Sequence, residues 1–160
     1  MYHPAGVYPA IPTPFMRNGD LDETGLRDLV SHFGSTGVNG LLALGTIGEF
    51  AMMSERERRR AAEIIVGAAD RLEVIVNAGC PSTRETVRMA QFLKDIGVDA
   101  VIAVEPYFYH PTARGMARHY LDIAEKADVS VMAYNIPQFS GNRLTPDIMD
   151  AFAEDDRIVG

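Results

Sequence analysis

The chain has 160 residues, of which 47% are hydrophobic, and a formal net charge of −7. This length and apolar fraction are typical of one globular domain with a sizeable core. The acidic balance argues against a nucleic acid or an anionic membrane as partner, and no apolar run approaches the ~18 residues of a membrane span.

The pattern along the chain predicts five strand–helix units and the start of a sixth strand. Short apolar runs predict the strands, and helical spacing after a capping residue predicts the helices. The predicted strands cover residues 6–11, 38–44, 72–78, 98–104 and 129–134, and a sixth begins at 157–160. The predicted helices cover residues 23–36, 55–69, 83–96, 113–126 and 146–153.

Strands that alternate with helices predict an α/β protein with a parallel sheet, for which two architectures compete. One is an open, doubly wound sheet of five strands, which this length would complete. The other is a (β/α)8 barrel, which normally needs about 250 residues. The spacing slightly favours the open sheet, whereas the strand that begins at 157–160 favours a barrel. If these residues were the whole polypeptide, its edge strands would favour self-association.

The predicted helix 55–69 opens with Ser54 and Glu57 at the spacing of a capping box. Its first turns carry four arginines, which suggest a patch for an anionic partner. Glutamates interleave with these arginines, so we interpret the run as a solvated helix face. The arginines are Arg56, Arg58, Arg59 and Arg60.

A short apolar run at 41–44 ends in Gly45-Thr46-Ile47-Gly48-Glu49. This pattern predicts a buried strand that passes through a tight loop into a helix. Ligands of α/β proteins usually bind at that end of a strand, and successive N–H groups in such a loop can hold a carboxylate. An ordinary strand-to-helix turn is the alternative.

Four motifs together resemble the dihydrodipicolinate synthase / N-acetylneuraminate lyase family. They are P-T-P-F at 12–15, G-T-I-G-E at 45–49, E-P-Y-F-Y-H-P at 105–111 and Y-N-I-P-x-x-S-G at 134–141. The resemblance implies a (β/α)8 barrel, of which residues 1–160 form the N-terminal part of a single domain. It also implies a homodimer or homotetramer that uses pyruvate and needs no cofactor.

The chemistry that this resemblance implies is that of class I aldolases. A lysine at the end of strand six forms a Schiff base with pyruvate, and the protonated imine stabilises a carbanion as an enamine. Tyr134 matches the tyrosine that moves the proton, and Thr46 matches a hydroxyl that is linked to it. The N–H groups of Thr46 and Ile47 would hold the carboxylate, although Ile47 lacks the hydroxyl of the usual second residue.

Two aromatic positions depart from the synthase pattern. Phe108 stands where synthases carry a relay tyrosine that a neighbouring subunit contributes, and Tyr109 is either its substitute or an interface aromatic. Phe139 stands where synthases carry an arginine for the carboxylate of the aldehyde substrate. The loss of this charge argues against aspartate semialdehyde as substrate. The motif at 134–141 is closer to the lyase and sugar-acid aldolase branches.

The imine-forming lysine is not among these residues. Lys94 and Lys126 both lie in predicted helices and are interpreted as solvated charges. His110 and His119 lack the pattern of a metal pair, so no metal site is predicted. Cys80 is interpreted as a small loop residue. A single cysteine and an N-terminus without a signal-peptide pattern predict a cytoplasmic protein.

Three hypotheses follow. The first is a Schiff-base lyase or aldolase that acts on pyruvate and a 2-keto sugar acid, through a lysine that follows Gly160. The second is a dihydrodipicolinate synthase that condenses pyruvate with aspartate semialdehyde. The third is a non-catalytic relative or fragment that binds a keto acid.

Overall fold

The computed structural model describes residues 2–153 and 155–160, which alternate between strands and helices in the predicted order. The strands are β1 (Gly40–Ala43), β2 (Glu73–Asn77), β3 (Ala100–Val104) and β4 (Val131–Tyr134). The α-helices are α1 (Glu23–Gly34), α2 (Glu55–Ala68), α3 (Thr83–Asp95), α4 (Ala113–Ala127), α5 (Pro137–Ser140) and α6 (Pro146–Phe152), and a 3₁₀ helix covers Phe50–Met52. The predicted α/β class is therefore confirmed.

The chain divides into two compact units. The N-terminal unit comprises residues 4–77 and 96–99, and the C-terminal unit comprises the described residues of 78–95 and 100–160 together with residues 2–3.

In the N-terminal unit, β1 and β2 pair in parallel, from Gly40 opposite Glu73 to Ala43 opposite Val76. Helices α1 and α2 pack against each other and bury one face each. The side chain of Asp22 caps α1 by accepting the N–H of Gly25 at 2.9 Å. The predicted capping box of α2 is confirmed, because Ser54 and Glu57 each bond the backbone of the other.

The predicted first strand is reduced to an extended segment with a single bridge pair, Ala10 opposite Leu42. The N–H of Ile11 donates to the carbonyl of Leu42, and the N–H of Leu42 donates to the carbonyl of Pro9, both at 3.0 Å. Pro9 faces β1 and has no N–H to donate, so the ladder is interrupted on the N-terminal side of this bridge. The prediction of a full strand at 6–11 is wrong for this reason.

One of the four arginines of α2 is not solvated. Arg58 is buried at 5% exposure, because it falls on the same helix face as Ala61, Ala62 and Ile65. The interpretation of the run as a solvated face is therefore wrong for Arg58. It agrees with the exposed ion pairs that Arg60 forms with Glu23 and Glu63 and that Arg59 forms with Glu55.

In the C-terminal unit, β3 and β4 pair in parallel, from Val101 opposite Val131 to Val104 opposite Tyr134. Helix α4 packs against both α3 and α6. The segment at 157–160 lies along β4 as the predicted beginning of a strand. The N–H of Val131 donates to the carbonyl of Arg157 at 2.8 Å, and the N–H of Ala133 donates to the carbonyl of Gly160 at 2.7 Å.

Residues 50–52 and 137–140, which were predicted to be loops, form short helices. Helix α1 ends at Gly34, two residues before its predicted end. No helix within the described residues is both long enough and apolar enough to cross a membrane.

Candidate active-site segments

The segment that follows β1 is a tight loop with an unusual backbone. Leu44 and Glu49 both have left-handed backbone angles, with φ of +54° and +56°. A Cβ atom at Gly48 would lie 2.9 Å from the Cα of Leu44, so no other residue fits there without a shift of the backbone. The N–H of Glu49 donates to the carbonyl of Thr46 at 3.1 Å and closes the loop. Such strain is typical of a functional segment.

Thr13 anchors this loop to the N-terminal segment. Its hydroxyl donates to the carbonyl of Gly48 at 2.8 Å, and its side chain is buried at 6% exposure. The loop therefore presents Thr46 and Ile47 at an exposed tip, with Ile47 58% exposed. This bond connects the motif at 12–15 with the motif at 45–49, a connection that the sequence analysis did not predict.

Arg58 contacts both the residue that follows this loop and the last residue of β2. Its guanidinium donates to the carbonyl of Asn77, the last residue of β2, at 2.9 Å. The guanidinium also lies 5.4 Å from the ring centroid of Phe50, within the range of a cation–π contact. A buried guanidinium thus ties the residue after the loop to the end of the neighbouring strand.

In the C-terminal unit, the fully buried Glu105 connects the segments that follow β3 and β4. Its Oε2 accepts the N–H of Ile136 at 3.3 Å, two residues after Tyr134. Burial, with the charge of Glu105 nearby, raises the pKa of Tyr120 well above its ordinary value. Tyr120 therefore keeps its proton, which it donates to the carbonyl of Ala103 at 3.0 Å.

The segment Pro106–His110, here called the aromatic loop, carries two exposed rings. Phe108 is 82% exposed and Tyr109 is 74% exposed, and their rings meet edge to face with centroids 5.0 Å apart. Phe108 has a left-handed backbone, with φ of +82°. Asn142 donates from its side-chain nitrogen to the carbonyls of Pro106 at 2.6 Å and Tyr109 at 2.9 Å.

Each predicted site residue follows or ends a strand. Thr46 and Ile47 follow β1 in the N-terminal unit. Tyr134 is the half-buried last residue of β4, and the 70% exposed Phe139 lies in α5 just beyond it. Phe108 and Tyr109 follow β3. The assignment of these residues to a substrate or to a relay remains a prediction.

The other candidates lie in different settings. Lys94 pairs with Asp128 at 2.7 Å and Lys126 pairs with Asp122 at 3.0 Å, both on partly exposed helix positions. The half-buried Cys80 donates its N–H to the hydroxyl of Thr86 at 3.1 Å. Across residues 2–153 and 155–160, no group of three or more His, Cys, Asp or Glu side chains is placed to hold a metal ion.

Residues 3–160 match the sequence model of the dihydrodipicolinate synthetase family. The chain belongs to this family. A 4-hydroxy-tetrahydrodipicolinate synthase of Ruegeria pomeroyi is 41% identical over 156 residues, which cover 97% of this chain and 53% of the relative.

Solved structures of two kinds of family member share the fold. A dihydrodipicolinate synthase from Acinetobacter baumannii, complexed with pyruvate, superposes with a TM-score of 0.92 at 34% identity, over 96% of this chain and 53% of that one. A catalytic lysine mutant of the sialic acid aldolase from Ruminococcus gnavus also gives a TM-score of 0.92, at 27% identity over 97% of this chain and 52% of that one. The chain spans about half the length of the curated relatives it matches.

The dihydrodipicolinate synthetase fold decides between the two architectures that the sequence left open. The parallel strand–helix units of this chain are those of part of a (β/α)8 barrel, and the open five-stranded sheet is wrong. Four residues shape the site segments and were not predicted from the sequence: Thr13, Arg58, Glu105 and Asn142. For Thr13 a signal existed, because it lies inside a quoted motif. For Glu105 the signal was an acidic residue directly after an all-apolar strand.

Proposed function

We propose that this chain supplies the carboxylate-binding loop and the proton-transfer residue of a class I, pyruvate-dependent lyase or aldolase. Its imine-forming lysine would lie outside residues 1–160. One observation carries the proposal: three of the four family motifs lie directly after strands or strand-like segments, and the fourth begins at the last residue of β4. Barrel enzymes build their active sites at that end of their strands. Membership of the family supports the same reaction class.

In this proposal the loop after β1 holds the carboxylate of pyruvate. The backbone N–H groups of Thr46 and Ile47 at the exposed tip would donate to its oxygens. The bond from Thr13 to Gly48 keeps the loop preformed, so little conformational freedom is lost when the carboxylate binds. Ile47 contributes its N–H group and an apolar side chain.

Tyr134 would move the proton during carbon–carbon bond making or breaking. A lysine amine attacks the keto carbon of pyruvate and water is lost, which gives a protonated imine. Loss of a proton from the adjacent methyl group gives an enamine, which attacks an aldehyde; cleavage of a longer 2-keto acid runs in reverse. Because a free phenol has a pKa near 10, a tyrosine in this role needs hydrogen-bond partners. We propose Thr46, which matches a family hydroxyl, as the second residue that takes part in the reaction.

The aldehyde partner that we propose is a sugar-derived one, so that the longer substrate is a 2-keto sugar acid. Phe139 supports this choice, because its exposed ring offers no charge to pair with a second carboxylate. Aspartate semialdehyde is the second candidate, and the name of the Ruegeria pomeroyi relative favours it. We further propose a cytoplasmic homodimer or homotetramer, which the exposed rings of Phe108 and Tyr109 support.

The test is to purify the protein at its natural length, to incubate it with pyruvate and borohydride, and to measure its intact mass. A stable adduct of one reduced pyruvate per chain is expected, because the hydride traps the imine. Turnover is then compared with aspartate semialdehyde and with 2-keto-3-deoxy sugar acids. We expect Tyr134→Phe to retain the adduct but to lose about 10²- to 10⁴-fold in kcat. Failure to form any adduct would favour the non-catalytic, keto-acid-binding alternative.

A further inference from the structure

Asn142 lies in the connection between α5 and α6, and its side chain is buried at 8% exposure. Its side-chain nitrogen donates both hydrogens, one to the carbonyl of Pro106 at 2.6 Å and one to the carbonyl of Tyr109 at 2.9 Å. Both carbonyls belong to the aromatic loop. Since an amide nitrogen has only two hydrogens, this pair of bonds fixes the orientation of the amide.

The fixed orientation of this amide also determines whether Nδ1 of His110 carries a hydrogen. Oδ1 of Asn142 lies 3.0 Å from Nδ1 of His110, and an amide oxygen can only accept. Nδ1 of His110 must therefore carry the hydrogen in this contact. One buried side chain thus makes three hydrogen bonds to three of the five residues of the aromatic loop.

The backbone around Asn142 is shaped for this contact. Gly141 has a left-handed φ of +73°, and a Cβ atom there would lie 3.2 Å from Cε1 of His110. The hydroxyl of the buried Ser140 accepts the N–H of Asn142 at 3.1 Å and lies 3.2 Å from the carbonyl of Ile136. The turn at the end of α5 therefore holds Asn142 and leaves room for the imidazole.

The aromatic loop needs such an anchor. Phe108 occupies a left-handed backbone region that aromatic residues rarely adopt, and its ring is 82% exposed. Within a single chain, an exposed ring gains too little from burial to hold a strained backbone in place. Strained conformations persist only where surrounding contacts over-determine them, and the two bonds from Asn142 bracket Phe108 on both sides.

We infer that Asn142 is a positioning residue, which locks the aromatic loop so that Phe108 and Tyr109 are held rigidly at the carboxyl ends of β3 and β4. The mechanical part of this inference, that Asn142 restrains the motion of the aromatic loop, rests on the hydrogen bonds alone. The part that concerns the reaction rests on the proposed function: loss of the lock would misplace the two rings and slow turnover.

The mechanical part is tested with a tryptophan reporter, Phe108→Trp, because these 160 residues contain no tryptophan. Time-resolved fluorescence anisotropy is compared between the reporter protein and the same protein carrying Asn142→Ala. The emission of the protein without the reporter is first subtracted from each measurement. We expect Asn142→Ala to add a nanosecond component of loop motion. The matched control is Gln91→Ala, which removes an amide that donates to the carbonyl of Lys126 at 2.9 Å between α3 and α4. The control should leave the anisotropy unchanged, and an unchanged decay in Asn142→Ala would overturn the inference.

The second test uses the protein without the reporter and separates kcat from KM. Asn142→Ala and Asn142→Asp are measured at a temperature where circular dichroism shows both folded. Asp is nearly isosteric but cannot donate to the two carbonyls, so it remains informative if the alanine variant does not fold. We expect kcat to fall about 10- to 100-fold, with the KM for pyruvate changed by less than about 3-fold.

A lower melting temperature with unchanged kcat would show a merely structural role and would overturn the positioning role. If the unmodified protein forms no adduct with pyruvate and borohydride, the proposed function fails. The anisotropy comparison then still decides whether Asn142 locks the loop.

Discussion

The buried imidazole of His119 predicts that the protein loses stability as the pH falls below neutrality. His119 lies in α4 with 3% exposure, and its Nδ1 lies 2.8 Å from the hydroxyl of Thr83 in α3. Its Nε2 has no hydrogen-bond partner among the described residues. Burial lowers the pKa of His119 from 6.5 to about 4, although the nearby Asp122 partly opposes this shift. The imidazole is therefore neutral in the folded state at pH 7.

The sign and size of the effect follow from proton linkage. Between pH 6.5 and 4 the unfolded chain binds a proton at this histidine and the folded chain does not, so the free energy of unfolding falls as the pH falls. The full shift from 6.5 to about 4 corresponds to roughly 3 kcal/mol. Between pH 7.5 and pH 5 the loss that His119 alone contributes is about 2 kcal/mol.

The assay is urea denaturation at several pH values between 7.5 and 5, on the unmodified protein and on His119→Asn. Asparagine has no proton to gain in this range and can keep the contact with Thr83. Between pH 7.5 and 5, we expect the unfolding free energy of the unmodified protein to fall by about 2 kcal/mol more than that of His119→Asn. The control is Gln91→Ala, which changes no titratable group and should leave the slope unchanged. Parallel curves for His119→Asn and the unmodified protein would refute the reasoning.

Three further substitutions probe the segments around the candidate site. Thr13→Val removes the hydroxyl that donates to the carbonyl of Gly48. The free energy of unfolding, measured by urea denaturation, should therefore fall by about 1–3 kcal/mol, and the KM for pyruvate should rise. An unchanged KM would show that the loop does not need this bond. Ser54→Ala should cost about 1 kcal/mol in the same assay, because it breaks the capping box with Glu57, whereas Ser54→Asp should cost less. Phe108→Gly should raise the free energy of unfolding by about 1 kcal/mol, because glycine tolerates a left-handed backbone; a lower value would mean that the exposed ring contributes packing after all.

The sequence predicted those parts of the fold that depend on local chemistry. Caps at Asp22 and Ser54 and the apolar runs of the four strands were sufficient to place the helices and strands within a few residues. The prediction of a strand at 6–11 failed because Pro9 lacks an N–H donor on the side that faces β1, which a hydrophobic pattern does not register. The helix at 137–140 was missed because a single turn is too short to show a helical period.

The contacts that shape the site segments were less predictable, because they join residues far apart in the chain. Arg58 looked like its neighbours in the charged run, and only the packing of α2 shows that it faces the interior. Asn142 reaches back more than thirty residues to the aromatic loop. Thr46 and Tyr134 were predicted as site residues from motifs, and their roles still depend on kinetic tests.

The pairing of β4 with the segment at 157–160 has a consequence for amide hydrogen exchange. The N–H groups of Val131 and Ala133 are protected by the carbonyls of Arg157 and Gly160. Strand β4 also pairs with β3, but the N–H groups of Val131 and Ala133 donate to the 157–160 segment and not to β3. If that segment detaches while β3 and β4 stay paired, deuterium should enter at Val131 and Ala133 first. These two positions would therefore report how often the 157–160 segment detaches from β4, without any substitution or attached probe.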